Sequence, residues 1–298
     1  MKLFTGIYKE KMVLGAMDKE EKKCVFLEDL NLKYLDMNDF IRNHTKEEFS
    51  TIEQVLINDE NQKVKDRNQI LDLQFQAPIP HPRQDVICLG INYLAHAEES
   101  ARFKKEAFER NQAYPVYFSK RVNRALGDGE GITYNKDVFT QLDYEVELAV
   151  IIGRDAKNVK KEDALDYIFG YTIMNDMSAR DIQVRHKQWY FGKSMDGFTP
   201  MGPVITTANE FEGIPNLKIT SKVNGELRQN SETNLQQFDI AYVIEELSQG
   251  LTLQAGTIIA TGTPAGVGMG FEPPRFLEIG DVVECEIQGI GKLKNKII

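Results

Sequence analysis

The segment at residues 142–153, LDYEVELAVIIG, alternates between two classes of residue in a way that is typical of a β-strand. Every second position from 144 to 150 is apolar. The positions between them begin with Glu145 and Glu147 and then become apolar as well. The pattern predicts a strand that is covered on both faces at its far end and carries two carboxylates side by side on one face.

These two glutamates have an ordinary explanation and a chemical one. Alternating glutamates most often lie on a solvated strand face, or protect a sheet edge against aggregation. On a strand, however, the Cα atoms of Glu145 and Glu147 lie about 6.6 Å apart. Both side chains can then reach one hard metal ion at about 2.0 to 2.6 Å.

Asp176 offers a third oxygen ligand, because it follows a strand predicted over residues 171–174. Its ordinary role would be that of a turn or capping acid, a role for which Asp181 competes, since it stands three residues after Ser178 in capping-box spacing. Three carboxylates without His or Cys favour Mg²⁺, Mn²⁺ or Ca²⁺ over zinc. Their combined charge exceeds that of the ion, so Lys193 and Arg180 are candidates for binding an anion, although each alone is more often a surface charge.

His96 and Glu99 stand three residues apart in a stretch, 93–111, that is rich in helix formers and has Asn92 as a possible N-cap. On a helix, the two side chains share one face. A carboxylate beside an imidazole orients the ring and raises its basicity, as general-base catalysis requires. The alternative is an ordinary contact between two residues on a helix surface.

A proline-rich segment divides the chain. Pro78 to Pro82, PIPHP, excludes regular helix and central strand, which predicts a linker over 78–84. Before it, a small, charge-rich α+β domain at 1–77 contains Thr45 and Glu48 in capping-box spacing, ahead of an amphipathic helix. After it, residues 85–298 form the larger predicted domain.

The larger domain is predicted to be β-rich with a few helices. Val86 to Gly90 is typical of a buried strand, and Asn224-Gly225 is a strong hairpin signal. Helices are predicted over 162–169 and 240–247, and another is predicted to begin at Ser178. Helices and strands do not alternate as in a parallel α/β protein, so the predicted fold class is α+β.

Composition excludes several classes of protein. The chain has 298 residues, of which 42% are hydrophobic, enough for a large core. Its 36 Lys and Arg against 45 Asp and Glu give a net charge of -9, without the basic cluster of a nucleic-acid-binding protein. The three cysteines are scattered, which fits a reducing compartment. No run approaches the ~18 apolar residues of a membrane span, so we expect a cytoplasmic protein without a membrane partner.

Several ordered motifs together resemble those of the fumarylacetoacetate hydrolase superfamily. They extend from about Pro82 to Ile298. The motifs are GINYLAH (90–96), LDYEVELAVIIG (142–153), GYTIMNDMSARDIQ (170–183), GKS (192–194), VNGELRQ (223–229) and IIATGTPAGVG (258–268). The length and the segments HKQWYFGKS and GFEPPRFLEIGD are most similar to the oxaloacetate decarboxylase and acylpyruvate hydrolase branch.

This resemblance implies a mixed β-sandwich roll, usually a homodimer, with Mg²⁺ or Mn²⁺ as cofactor and a mobile lid over the site. It also implies the role of each site residue. These are His96, Glu99 and Lys193 for catalysis, Arg180, Gln183 and Thr263 for substrate binding, and Glu145, Glu147 and Asp176 for the metal.

The expected activity is cleavage of a C–C bond in a small 2-keto acid, with decarboxylation of oxaloacetate to pyruvate and CO₂ as the first choice. His96 and Glu99 would then orient the leaving carboxylate or supply a proton. The alternatives are an acylpyruvate hydrolase, in which the same pair would activate water, and an isomerase of a 2-hydroxy-diene-dioate in aromatic catabolism. A non-catalytic, metal-stabilised interaction module is a further alternative.

Overall fold

The computed structural model describes residues 1–58, 62–66, 70, 72–108, 110 and 112–298. Its strands are β1 (Lys2–Tyr8), β2 (Lys11–Met17), β3 (Lys23–Phe26), β4 (Lys65–Asp66), β5 (Gln74–Phe75), β6 (Val86–Gly90), β7 (Val116–Lys120), β8 (Gly131–Ile132), β9 (Leu142–Asp143), β10 (Val146–Ile152), β11 (Ile168–Asn175), β12 (Ser178–Ala179), β13 (Met201–Thr207), β14 (Lys218–Val223), β15 (Glu226–Glu232), β16 (Ile258–Ala260), β17 (Val282–Ile287) and β18 (Gly291–Ile297).

The helices are few. They are α1 (Met37–Asn43), α2 (Lys46–Ile57), α3 (Leu94–Lys104), α4 (Arg180–Arg185), α5 (Tyr190–Lys193) and α6 (Ile240–Gly250), with short 3₁₀ helices at Leu27–Leu30, Lys161–Tyr167, Ala208–Glu210, Thr233–Leu235 and Gly268–Gly270. Within the described ranges, none of them is long and apolar enough to cross a membrane. The predicted β-rich class is confirmed.

Strand β10 is buried along its whole length, as its alternation predicted. It pairs antiparallel with β11 and β16, inside an eleven-stranded sheet with the order β4-β3-β2-β1-β13-β11-β10-β16-β6-β7 and β5 beside β1. Val146, Leu148 and Val150 belong to the core on one face, and Ala149 and Ile151 belong to the core on the other. Glu147 therefore lies on a strand that protein covers on both sides, and Glu145 directly precedes that strand.

A second sheet, with five strands in the order β15-β14-β17-β18-β8, covers one face of the large sheet. Its Ile219, Val283 and Leu293 share a core with the apolar face of β10. The β14–β15 hairpin turns at Asn224 and Gly225, whose φ angles are 52° and 83°, as a type I′ turn requires. The predicted hairpin and the predicted β-sandwich are both confirmed.

The N-terminal strands extend the large sheet, because β1 pairs with β13. Helices α1 and α2 cover the face opposite the second sheet, with Phe40, Ile52 and Leu56 in that core. The predicted capping box is present at the start of α2, where Thr45 accepts from the Glu48 N–H and the Glu48 carboxylate accepts from the Thr45 N–H. The sheet runs through both parts of the chain, and the division at 78–84 stays a prediction.

The predicted limits of α3 are wrong at both ends. Asn92 does not cap the helix, because its amide donates to the carbonyl oxygens of Phe238 and Thr261 at 3.0 and 2.9 Å. These long-range contacts hold the chain before the helix in place. The helix ends at Lys104, where Lys105 takes a left-handed conformation with φ of 57°, and positions 109 and 111 of the prediction lie outside the described residues.

The predicted limits of two other helices are also wrong. Ser178 does not begin a helix, since Ser178 and Ala179 form β12, which pairs with β9. Helix α4 starts only at Arg180, and the Asp181 carboxylate accepts from the Thr140 N–H at 2.9 Å. The segment predicted as helix 162–169 is a 3₁₀ helix that ends at 167, because the pairing of β11 begins at 168.

Candidate metal centre and catalytic pocket

Glu145, Glu147 and Asp176 come together where β10 and β11 meet. Glu145 directly precedes β10 and Asp176 directly follows β11. Because the two strands are antiparallel, the Asp176 N–H donates to the Glu145 carbonyl oxygen at 2.9 Å. The three residues are at most 4% exposed, and one carboxylate oxygen from each lies within 4.8 Å of the others. The fold thus assembles the oxygen set predicted from the sequence.

Three buried cations offset part of this negative charge. Lys193 of α5 has its Nζ 2.7 Å from Glu145 Oε2 and 2.6 Å from Asp176 Oδ2. Lys120, the last residue of β7, donates to Asp176 Oδ1 at 2.5 Å. Arg180 Nη2 lies 2.6 Å from Glu145 Oε1. Burial alone would lower the pKa of Lys193, but the charges of Asp176 and Glu145 outweigh it and raise the pKa, so Lys193 stays an ammonium.

Glu147 is the acid that these cations compensate least. Its carboxylate accepts from the Gly262 N–H at 2.8 Å, and it forms no ion pair with a Lys or Arg of the described residues. Burial, followed by the charges of Asp176 and Glu145, raises its pKa well above the usual range. A buried carboxylate of this kind is costly unless a cation pairs with it.

The cluster fits a hard divalent cation. It offers carboxylate oxygens and no His or Cys, which is the donor chemistry that Mg²⁺ and Mn²⁺ prefer. Glu147, the acid that these cations compensate least, marks where additional positive charge would stabilise the protein most. Lys193, between two of the acids, supplies only part of that charge.

His96 and Glu99 face the cluster from α3, as predicted. His96 Nδ1 lies 3.5 Å from Glu99 Oε2, longer than a hydrogen bond, and such contacts in unliganded sites commonly tighten when substrate binds. The Glu99 carboxylate accepts from the Gly266 N–H at 3.0 and 3.1 Å. Arg102 donates to the Gly270 carbonyl oxygen at 2.8 Å. Helix α3 is thus fastened to the glycine-rich loop at 266–270, with His96 turned inward.

A cavity of about 30 Å³ lies between α3 and the carboxylates. Its walls include His96, Glu145, Gln183, Lys193 and Thr263. A cavity of this size holds about two water molecules. The cavity is therefore too small for anything much larger than this, so binding a larger substrate needs α3 or the side chains of the wall to move.

The three predicted substrate-binding residues, Arg180, Gln183 and Thr263, all lie in this wall. Arg180 Nε donates to Asp143 Oδ2 at 2.9 Å, and its Nη1 donates to the Gln183 amide oxygen at 3.2 Å. The Thr263 hydroxyl donates to the Val146 carbonyl oxygen at 2.9 Å. Protein contacts thus orient all three side chains, and their binding of substrate stays a prediction.

Two charged residues of the cluster were missed from the sequence. Asp143 belongs to the same alternation as Glu145 and Glu147, two positions earlier, so the period of two could have identified it. Its buried carboxylate accepts two backbone hydrogen bonds from the glycine-rich loop, at 2.6 and 3.0 Å. Lys120 lies 56 positions from Asp176, and no local pattern indicates that the two would meet.

Comparison with known proteins adds to this geometry. The profile of the fumarylacetoacetate (FAA) hydrolase C-terminal family matches residues 85–298, the same range as the larger predicted domain. Over 226 residues the chain is 46% identical to oxaloacetate tautomerase YisK of Bacillus subtilis, which covers 76% of this chain and 73% of that protein.

Solved structures of related proteins match the whole chain. Fumarylacetoacetate hydrolase of Exiguobacterium antarcticum has 34% identity and a TM-score of 0.81, with 100% of this chain and 99% of that one covered. Maleylpyruvate hydrolase of Sphingobium sp. SYK-6, in complex with manganese(II) and pyruvate, has 27% identity and a TM-score of 0.77 at the same coverage of 100% and 99%. The chain belongs to the fumarylacetoacetate hydrolase family.

Proposed function

We propose that this protein is a divalent-metal-dependent enzyme that interconverts the keto and enol forms of oxaloacetate. The observation that carries the proposal is the buried His96, backed by Glu99, in the wall of a cavity that also contains the carboxylate cluster. The name of the Bacillus subtilis relative supports oxaloacetate as the substrate.

Glu145, Glu147 and Asp176 would hold the metal ion. When bound, the ion supplies a Lewis acid that stabilises negative charge on the C2 oxygen of a 2-keto acid. Mn²⁺ is supported by the ion in the maleylpyruvate hydrolase structure, and Mg²⁺ suits the same donors. The sequence alone favoured these two ions equally.

The side chains around the cluster would move the protons. His96 would take a proton from C3, and Glu99, fixed by the Gly266 N–H, would accept from Nδ1 once their contact shortens and so leave Nε2 as the base. Lys193 carries a proton at Nζ for the C2 oxygen. The proton of the C3–H bond passes to His96, the electrons of that bond form the C2–C3 double bond, and the C2 oxygen gains a proton from Lys193. Loss of a proton from His96 to solvent and return of one from solvent to Lys193 restore both groups. No atom other than hydrogen is exchanged.

Decarboxylation, the first expectation from the sequence, is the second candidate. When CO₂ leaves a 3-carboxylated ketone, the electrons of the C3–C4 bond form the enolate, so that step needs no base. The presence of a base, His96, in the pocket wall is therefore better explained by a reaction that removes a proton from C3. The same base would activate water in acylpyruvate hydrolysis, the type of activity that the Sphingobium protein's name indicates.

Three assays on one metal-loaded preparation separate these activities. We expect the ultraviolet absorbance of enol-oxaloacetate to relax faster with the protein than with Mg²⁺ or Mn²⁺ alone, while pyruvate forms much more slowly. Pyruvate that appears as fast as the enol relaxes would favour the decarboxylase, and cleavage of acetylpyruvate would favour the hydrolase. If neither ion supports any of the three reactions above its background, the enzymatic proposal is refuted.

The homodimer that the resemblance implied stays a prediction. Light scattering of the purified protein should give a mass of twice that of the chain. A monomer at micromolar concentration would contradict it.

A further inference from the structure

The cationic side chains around the pocket differ in whether an acidic side chain pairs with them. Three cationic side chains line the inner cavity, namely Lys104, Arg180 and Lys193. Arg180 is paired with Asp143 and Lys193 with Asp176, and both also contact Glu145. Lys104 forms no ion pair with any carboxylate in the part of the chain that the structure describes. Among the described residues, it is the cation of this wall without an acidic partner.

Lys104 also occupies a distinctive position on α3. The side chains at 96, 100, 103 and 104 recur at helical spacing and all line the inner cavity. Lys104 is the last residue of the helix, about 12 Å along its axis from His96. The base therefore lies at the inner end of this stripe and the unpaired ammonium at the outer end.

A second cavity continues the pocket outward. It has a volume of about 770 Å³, and Phe103, Lys104, Gln183, Val184 and Trp189 line both cavities. Lys104 therefore stands where the small inner cavity meets the larger outer one. Its Nζ lies 5.3 Å from the centre of the Trp189 ring, so an aromatic face supports the ammonium without neutralising it.

We propose that Lys104 binds the distal carboxylate of the substrate, C4 in oxaloacetate, and so selects dicarboxylic 2-keto acids over monocarboxylic ones. The inference rests on the proposed function, which puts the C2 oxygen at the carboxylate cluster and leaves the C4 end of the molecule to extend outward. Glu106 is the acid whose charge raises the pKa of Lys104. It lies at the exposed wall of the outer cavity and forms no ion pair with Lys104.

The local charges favour such a partner. Burial lowers the pKa of Lys104, the charge of Glu106 opposes this shift, and the charge of Arg180 adds to it. A carboxylate beside the ammonium would compensate for both the burial and the repulsion from Arg180. Lys104 shares the wall of both cavities with Phe103 and Trp189.

A bound C4 carboxylate has a consequence for the choice of reaction. In tautomerisation its negative charge stays in place, whereas in decarboxylation that charge leaves C4 as CO₂ departs. A cation paired with C4 therefore stabilises the starting keto acid more than the transition state for CO₂ loss. Lys104 would retain C4 as well as select for it.

The test compares Lys104→Met with Lys105→Met, because Lys105 is adjacent, exposed and outside the cavity wall. Each variant is assayed with oxaloacetate and with its 4-methyl ester, which lacks the distal charge. For Lys104→Met we expect the KM for oxaloacetate to rise about tenfold, as for loss of a partly buried ion pair, with the KM for the ester unchanged. We also expect more pyruvate per enolisation event. Lys105→Met should match the wild type, and Lys104→Arg should restore most of the affinity.

The outcomes are separable. Each compound is compared across the variants, so the difference in intrinsic reactivity between the ester and oxaloacetate cancels. A melting curve shows whether each variant is folded. If the wild type turns over both compounds but Lys104→Met raises both KM values equally or neither, the role of Lys104 is refuted while the proposed function stands. If the wild type accelerates neither compound, the proposed function fails and this inference fails with it.

Discussion

Glu48 and Glu147 are the same residue type in opposite surroundings. Glu48 lies at the surface, where it accepts hydrogen bonds from the Tyr34 hydroxyl at 2.6 Å and the Thr45 N–H at 2.8 Å. These bonds, the one from Tyr34 first, lower its pKa. Glu147 is buried, and burial together with the charges of neighbouring carboxylates raises its pKa.

The contrast indicates that Glu147, and not Glu48, needs a partner from outside the chain. All the partners of Glu48 lie within 14 positions of it, so its helix start satisfies it completely. Glu147 is held where its charge is unfavourable, and folding alone gives no reason to place three carboxylates together. Burial by itself is not the distinguishing feature, because Asp143 is equally buried and is satisfied by Arg180 and by three backbone N–H groups.

Glu147→Gln should produce the largest effect, because it removes one of the three acids that would hold the metal. We expect turnover to fall by at least about 1,000-fold, the equivalent of the several kcal/mol that a catalytic ion contributes. The rise in melting temperature on adding Mn²⁺ should disappear, while the metal-free variant should melt no lower than the wild type, because a buried negative charge has been removed. The measurements are enol relaxation and thermal melting with and without Mn²⁺.

Exposed Glu212 offers the matched control. Glu212→Gln should change neither turnover nor the Mn²⁺-dependent melting temperature. If Glu147→Gln kept the full Mn²⁺ response, the interpretation of Glu147 as an uncompensated ligand would be wrong.

His96→Gln should reduce turnover without affecting the metal. General-base catalysis is worth about 100-fold or more, so we expect kcat to fall by that factor with an unchanged melting response to Mn²⁺. His186, which is exposed, supplies the control, and His186→Gln should behave as the wild type. A loss of the Mn²⁺ response in His96→Gln would show that the residue acts on the carboxylate cluster and not on the substrate.

The comparison also explains how much the sequence could predict. The capping box at 45–48, the hairpin at Asn224 and the covered strand β10 were predicted correctly, because each depends on neighbours within a few positions. The three acids were also found, since two of them share a strand face and the third ends the paired strand β11.

The features that could not be predicted from the sequence depend on contacts between distant segments of the chain. Asn92 was predicted to cap a helix and instead bonds to chain 146 and 169 positions away. Lys120 approaches Asp176 from a separate element, 56 positions away. An isolated Lys at the end of a strand carries no local signal for this, so the neutralisation of the cluster appears only when β7, α5 and β11 are packed.

Asp143→Asn tests what distinguishes a structural acid from a metal-binding one. We expect the difference to be whether protein groups satisfy the carboxylate, and not whether the carboxylate is buried. Asparagine keeps one acceptor oxygen and places an NH₂ group against backbone donors and Arg180. Hydrogen bonds to charged groups are worth about 1.5 to 3 kcal/mol, so we expect the free energy of unfolding to fall by about 2 kcal/mol. Urea unfolding should show this loss equally with and without Mn²⁺. A loss seen only in the presence of Mn²⁺ would instead assign Asp143 to the metal site.

Glu48→Gln should have the smallest effect, and the effect should depend on pH. Because this acid is near the surface, the expected loss of unfolding free energy is only about 0.5 kcal/mol. The folded-state pKa of Glu48 is below its ordinary value of 4.5, so its contribution is complete above that value and is lost as the pH falls through the folded pKa. The difference in melting temperature between wild type and variant should stay constant from neutral pH to just above 4.5 and shrink below it. Glu47→Gln, on the same exposed helix turn, should lack this dependence because the Glu47 side chain makes no capping bond, and a difference that widened in acid would contradict the local account of Glu48.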